Sequence, residues 1–252
     1  MRKLVITTFL TLDGVMQAPG APDEDRSGGF VHGGWLVPYA DEDLGRFVTA
    51  WMEQATAFLL GRGTYEIFAA HWPRVTDPQD AIARALNSLP KYVASRTLKS
   101  AEWHNTAVIQ GNVVEAVRAL KREGSGEIQV HGSPGLAQTL IANDLVDEYR
   151  LWVHPVVLGS GKRLFGTGAV PAALKLSATK ATSTGVVVNT YERAGQLRYG
   201  EFSVDEQTST QRLFEGEFRP SRSRNPQDTR MLWRGPFVTQ VIHEANEIRL
   251  LN

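Results

Sequence analysis

Up to about residue 195, short apolar runs alternate with stretches whose apolar residues recur every three or four positions. The first pattern predicts strands and the second amphipathic helices. Leu4–Leu12 is apolar or Thr at almost every position, as expected of a strand covered on both faces. Asp41 is placed to cap a helix carrying Leu44, Phe47, Val48, Trp51 and Met52 along one side. Ala55–Leu60 predicts a strand, and Gly61-Arg62-Gly63 leads into a short helix over Thr64–Ala70. A helix over Asp80–Ser88 precedes a strand over Lys91–Ser95. The pattern continues with strand Thr106–Gln110, helix Val113–Glu123 and strand Glu127–His131. Gly132-Ser133-Pro134-Gly135 then opens a helix over Leu136–Ala142, followed by strand Val146–Val153. The last two strands, Leu174–Lys180 and Val186–Arg193, meet at Ser183-Thr184-Gly185, a hairpin turn. Strands alternating with helices imply an open α/β sheet, mostly parallel, with an antiparallel hairpin at one edge.

Two parts of the chain modify this picture. Arg2-Lys3 before Leu4–Leu12 has the outline of a secretion signal. Thr7, Thr8 and Thr11 interrupt its apolar run, however, and Leu12-Asp13-Gly14 offers no small-residue cleavage site. At the other end, Glu201–Asn252 carries Arg but no Lys, and its Arg219–Pro226 stretch is polar and punctuated by proline. Residues 1–195 are therefore expected to form one domain, and residues 196–252 a disordered or loosely docked extension.

Lys+Arg and Asp+Glu number 27 each, so the formal net charge is zero. No basic patch announces a nucleic-acid partner, and no apolar run approaches the ~18 residues that span a bilayer. The chain has no cysteine. Thiolate catalysis, disulfides and Cys-ligated zinc are excluded, and no histidine pair has ligand spacing, so no metal site is expected. A cytoplasmic protein acting on a small molecule is the expectation.

In open α/β sheets, ligands collect outside the carboxyl ends of the strands. That rule selects Asp13-Gly14, Gly61-Arg62-Gly63-Thr64, Ser95-Arg96, Gly111-Asn112 and Gly132-Ser133-Pro134-Gly135. Glycine turns before helices let backbone N–H groups approach a phosphate, and the helix N-terminus favours its charge. Arg62 and Arg96 add two guanidiniums suited to a ribose 2′-phosphate, which favours NADP over NAD. No G-x-G-x-x-G follows a strand, and Gly159-Ser160-Gly161-Lys162-Arg163 is not a P-loop. Asp13 is the candidate for acid–base work or substrate binding. Trp35 and Tyr39 are candidates for stacking on a planar substrate.

Several of these fragments occur together in a recognisable order. Thr11–Gly14, Leu60–Glu66, Val93–Leu98 and Val130–Ser133 precede Leu145–Leu151 and Pro155–Phe165. The series resembles the dihydrofolate-reductase-like family that includes the C-terminal reductase domain of the riboflavin-biosynthesis deaminase–reductase. The resemblance covers roughly Met1–Ala194. It implies a twisted, mixed, mostly parallel eight-stranded sheet flanked by helices, NADPH across the strand ends, and a homodimer. By position, Gly61, Arg62 and Thr64 would hold cofactor phosphates, and Ser95 and Arg96 the adenosine end. Gly132, Ser133, Pro134, Gly135 and Leu136 would place the pyrophosphate at a helix N-terminus. Thr8, Phe9 and Met16 would border the nicotinamide, with Asp13, Gly14 and Trp35 at the substrate. The riboflavin branch reduces a phosphoribosylamino-uracil, and commonly has Lys or Arg after the Asp-Gly pair where this chain has Val15. A pterin or dihydrofolate reductase, and a non-catalytic nucleotide-binding module, remain open alternatives.

Overall fold

The computed structural model describes residues 1–166 and 169–201. The expectation for the C-terminal extension lies, beyond Glu201, outside the described residues. Met1–Tyr199 forms one unit. Eight strands make a single sheet in the order β4-β3-β2-β5-β1-β6-β8-β7. They are β1 (Lys3–Thr11), β2 (Ala55–Gly61), β3 (Lys91–Ala94), β4 (Thr106–Ile109), β5 (Glu127–His131), β6 (Glu148–His154), β7 (Leu174–Ala181) and β8 (Val187–Arg193). The first six run parallel, β8 is antiparallel to β6, and β7 is antiparallel to β8. This is the mixed, mostly parallel sheet that the sequence implies, with the hairpin at its edge. Gly185 turns that hairpin at φ +84°, its N–H donating to the Thr182 carbonyl.

Five helices cover the sheet: α1 (Glu42–Met52), α2 (Arg62–His71), α3 (Ala81–Ser88), α4 (Val113–Arg122) and α5 (Pro134–Ala142). The Asp41 carboxylate caps α1 through Leu44 N, and Asp80 caps α3 through Ile82 N and Ala83 N. Asn112 does the same for α4, so one of the strand-end clusters is explained in part by capping. Strand alternation then divides the core. Leu4, Ile6, Leu59, Ile128 and Val130 meet α4 and α5, whereas Phe58, Leu60 and Val93 meet α1, α2 and α3.

The α1–α3 side also buries an ionic network beneath that core. Arg150 on β6 grips both Glu127 oxygens at 2.7 and 3.0 Å and donates through Nε to Glu148 at 2.6 Å. Its remaining contacts are Gln54 Oε1 at 3.1 Å and the face of Trp51. Lys3 reaches the other Glu148 oxygen at 3.3 Å. All three nitrogens of the guanidinium thus donate within a water-poor layer, where removing one partner leaves charge uncompensated. Arg150→Met is expected to cost about 3–5 kcal/mol of folding free energy in urea titration; a loss below ~1 kcal/mol would show that the network is dispensable.

Candidate functional site

β2 and β5 lie side by side, but β2 runs into α2 on one face and β5 into α5 on the other. Their outgoing chains diverge, which opens a crevice at adjacent strand ends where two helix N-termini face a common space. That space is a cavity of about 1100 Å³. Gly61, Arg62 and Thr64 line it from the start of α2, and Gly132, Ser133, Pro134, Gly135 and Leu136 from the start of α5. Ser95 and Arg96 line it beyond β3, and Thr8, Phe9 and Met16 from β1 and the loop after it. All of the positions proposed from sequence for a cofactor are therefore brought to one cavity.

The two turns are tied to each other by hydroxyls. Ser133 Oγ accepts from Gly61 N at 2.8 Å and lies 3.0 Å from both Thr64 Oγ1 and the His131 carbonyl. Ser133 N donates to Thr64 Oγ1 at 3.1 Å. Gly132 and Ser133 both have positive φ, at 51° and 56°, so the chain turns sharply before Pro134 starts α5. A Cβ on Gly61 would lie 3.3 Å from the Ser133 side chain, so glycine lets the two turns approach closely. Arg62 is braced by Glu66 at 2.6 Å and by Thr97 Oγ1 at 2.7 Å, which places it beside the loop carrying Arg96. Arg96 is exposed and has no salt-bridge partner among the described residues. The rim thus offers two helix N-termini, one braced guanidinium and one unpaired guanidinium, a donor set that fits a phosphorylated dinucleotide.

Three positions proposed for the substrate lie elsewhere. Asp13 does not line the cavity, and its carboxylate is already saturated. It accepts from Thr11 Oγ1 at 2.6 Å, Gly159 N at 2.8 Å, Leu158 N at 3.2 Å and Arg163 at 3.2 Å. The Thr11 hydroxyl and those backbone amides hold it below the usual carboxylate range, so it carries no proton to give. Its geometry is that of an anchor joining the end of β1 to the chain after β6. Gly14, at φ +79°, turns the chain directly after β1, its N–H donating to the Thr11 carbonyl. Trp35 is buried with Val15, Ala18 and Phe30, donates from its indole to the Gln17 carbonyl at 2.8 Å, and packs edge-on to His154. It is a core residue.

The sequence reading overlooked the opposite wall. Gln17, Glu24, Asp25 and Lys162 line the cavity. Buried Gln17 donates to the carbonyls of Asp25 and Ser27 at 3.1 and 3.0 Å and accepts from Lys162 N at 3.0 Å. Lys162 Nζ pairs with Asp25 at 2.6 Å. Gly161, at φ +129°, makes this possible, because a Cβ there would lie 2.6 Å from Val15. Burial pushes the Glu24 carboxyl upward from its ordinary value, although Gly20 N and Ala21 N donate to it. Thr7 and His131, neither of which the sequence reading selected, line the floor.

A profile of the RibD C-terminal domain matches residues 2–188. The chain belongs to the RibD C-terminal domain family. It is 32% identical over 197 residues to the protein YyaP of Bacillus subtilis (strain 168), covering 77% of this chain and 96% of that one. Among solved structures it is similar to a riboflavin biosynthesis protein from Shewanella sp. PV-4, with TM-score 0.58, 21% identity, and coverage of 76% and 99% of the two chains. The bifunctional deaminase and 5-amino-6-(5-phosphoribosylamino)uracil reductase from Thermotoga maritima aligns with TM-score 0.51 and 15% identity, over 77% of this chain and 57% of that one. Both structural likenesses are likenesses of fold.

Within this RibD C-terminal domain, burial first and the Arg150 guanidinium second pull the His131 pKa down to about 4. The ring is therefore neutral across the physiological range. An unfolded histidine titrates near ~6.5, so between the two values the unfolded chain binds the proton and the folded one does not. Stability from this group is complete above ~6.5 and falls as the pH drops toward 4. Titration of the His131 ring by NMR is expected to give a pKa well below 5, and His131→Phe to flatten the loss of stability between pH ~6.5 and ~4.5. A ring pKa near ~6.5 would contradict this.

Proposed function

We propose that the chain is an NADPH-dependent reductase of a small nitrogen heterocycle, with 5-amino-6-(5-phosphoribosylamino)uracil, named for the Thermotoga maritima protein, as the first substrate to test. The observation that carries this reading is the convergence of both glycine turns, both helix N-termini, Arg62 and Arg96 on one cavity. Bound across that rim, the cofactor would supply hydride, while the protein supplies position and a water-poor setting.

The chain's own residues divide the remaining work. The starts of α2 and α5 face the pyrophosphate, and Arg96, unpaired, meets the extra phosphate that distinguishes NADPH from NADH. Phe9 and Met16 give the nicotinamide end an apolar border. Glu24, a carboxyl on the cavity wall that burial pushes upward from its ordinary value, is the residue to test for the acid role first assigned to Asp13. No residue of α1 lines the cavity among those described, which weighs against a pterin site built on a carboxylate of that helix.

Titration with NADPH and NADH tests the reading. A charge-assisted contact contributes about 1.5–3 kcal/mol, so NADPH should bind at least ~tenfold more tightly. Arg96→Ala should remove most of that preference while leaving NADH affinity nearly unchanged. Consumption of NADPH with the phosphoribosylamino-uracil, and not with dihydrofolate, is the expected turnover. Equal affinity for the two cofactors would contradict the role of Arg96, and tight NADPH binding without turnover of any heterocycle would make the chain a binding module.

A further inference from the structure

The cavity carries two charge regimes. Arg62 and Arg96 line the rim where α2 and α5 begin, the part suited to anions. The opposite wall, supplied by the loops after β1 and β6, holds Glu24, Asp25 and Lys162. Lys162 is the cation of that wall among the described residues, and Asp25 already engages it at 2.6 Å. Glu24 meets no cation among the described residues; its Oε2 accepts from Gly20 N and Ala21 N at 2.6 and 3.2 Å. The net charge of these three side chains is one negative with Glu24 ionised and zero with it protonated. In neither state is it positive.

The Asp25–Lys162 pair is held in place by a buried amide. Gln17, only 4% exposed, fixes both partners by their backbones: its Oε1 accepts from Lys162 N at 3.0 Å, and its Nε2 donates to the Asp25 carbonyl at 3.1 Å. Asp25 Oδ1 accepts from Ser27 N and Oγ at 3.0 and 2.6 Å. Burial opposes ionisation, yet Lys162 and Ser27 hold that carboxyl below its ordinary value. An ammonium has three donors, of which Asp25 uses one, and a carboxylate accepting these bonds keeps spare lone pairs. The wall therefore sets donors beside acceptors at a fixed spacing. Neighbouring hydroxyls match it, because each both donates and accepts. A phosphate does not: its charge approaches two carboxylates, and Lys162 cannot turn to it without leaving Asp25.

We propose that the Asp25–Lys162 wall reads a neutral, hydroxylated arm on the substrate and turns a phosphorylated arm away. Asp25 accepts from one hydroxyl, Lys162 donates to its neighbour, and the Glu24 and Asp25 carboxylates supply the repulsive element that selectivity against an anion requires. This rests on the reductase reading above and alters the substrate named there at one group: the same pyrimidine without its phosphate is the better ligand. Gln17 is a positioning residue for the pair.

Calorimetric titration of the full-length protein saturated with NADP⁺ tests this with three probes: 5-amino-6-(5-phosphoribosylamino)uracil, the same compound without its phosphate, and diaminouracil, which lacks the arm. The phosphate-free compound should bind at least ~tenfold more tightly than either of the others. Raising salt from ~0.05 to ~0.5 M should narrow its lead over the phosphorylated compound, because screening weakens repulsion. The hydroxyl contacts are common to those two probes, so their ratio reads the phosphate alone. Asp25→Asn, which frees Lys162, should bring that ratio to within ~threefold, whereas Lys162→Gln, which leaves Asp25 uncompensated, should widen it. A loop merely loosened by substitution would move the ratio the same way in both variants. Such a common shift, equal or tighter binding of the phosphorylated compound, or diaminouracil binding as well as the phosphate-free compound overturns the proposal and leaves the reductase reading standing. Binding of no probe by a protein that binds NADPH overturns it as well. Failure of the unmodified protein to bind NADPH overturns the reductase reading, and the role of the wall with it.

Discussion

The site depends on a constraint of topology pinned by one side chain. Neighbouring strands β2 and β5 send their helices to opposite faces of the sheet, so their carboxyl ends cannot be covered by either. The crevice would be loose if the two turns moved independently. Ser133 prevents this: its hydroxyl accepts from Gly61 and reaches Thr64, while its amide donates to Thr64. Two helix N-termini are thereby held at a fixed separation, and the electrostatic character of the rim follows from that spacing. Loss of the hydroxyl would not unfold the sheet. It would unlink the two halves of the rim.

A second layer sets the character of the floor. Arg150 neutralises Glu127 and Glu148 inside the sheet, and Lys3 closes the chain of charges at the edge. Hydrogen bonds inside such a layer polarise one another and fix orientations that isolated side chains would not keep. Gln129 carries that order to His131 at the cavity. Stability and recognition share this network, since the groups that hold β5 to β6 across β1 also orient an imidazole toward the ligand space. The cavity's far wall is built differently, from the long loop after β1. There Gln17 gathers Asp25, Ser27 and Lys162 around a single buried amide.

What the sequence made legible was local. Asp41 precedes a periodic apolar stripe and caps α1 as expected, whereas Asp80, expected as the first residue of its helix, stands just before α3 and caps it. The glycine turns before α2 and α5 were readable for the same reason. Asp13 was misread because its partners Leu158, Gly159 and Arg163 lie some 145 to 150 positions away, and no local pattern announces them. His131 escaped notice because its chemistry is lateral. Its ring meets Gln129, which Glu127 and Arg150 hold in turn, and the last of these is two strands away in the sheet. Trp35 was misread for want of knowing that its indole finds the Gln17 carbonyl in a small core under the loop. The resemblance to a known family supplied the eight-stranded, mostly parallel sheet, but not the residues that this chain adds to its cavity.

The central claim is that main-chain amides at the starts of α2 and α5 together hold one anionic dinucleotide. Amide hydrogen exchange with and without saturating NADPH addresses it most directly, because it reads those groups themselves. Slowed exchange confined to the segments 61–64, 95–97 and 132–136 is the result this account predicts. Slowing restricted to one of the two helix starts, or found only outside these segments, would contradict it.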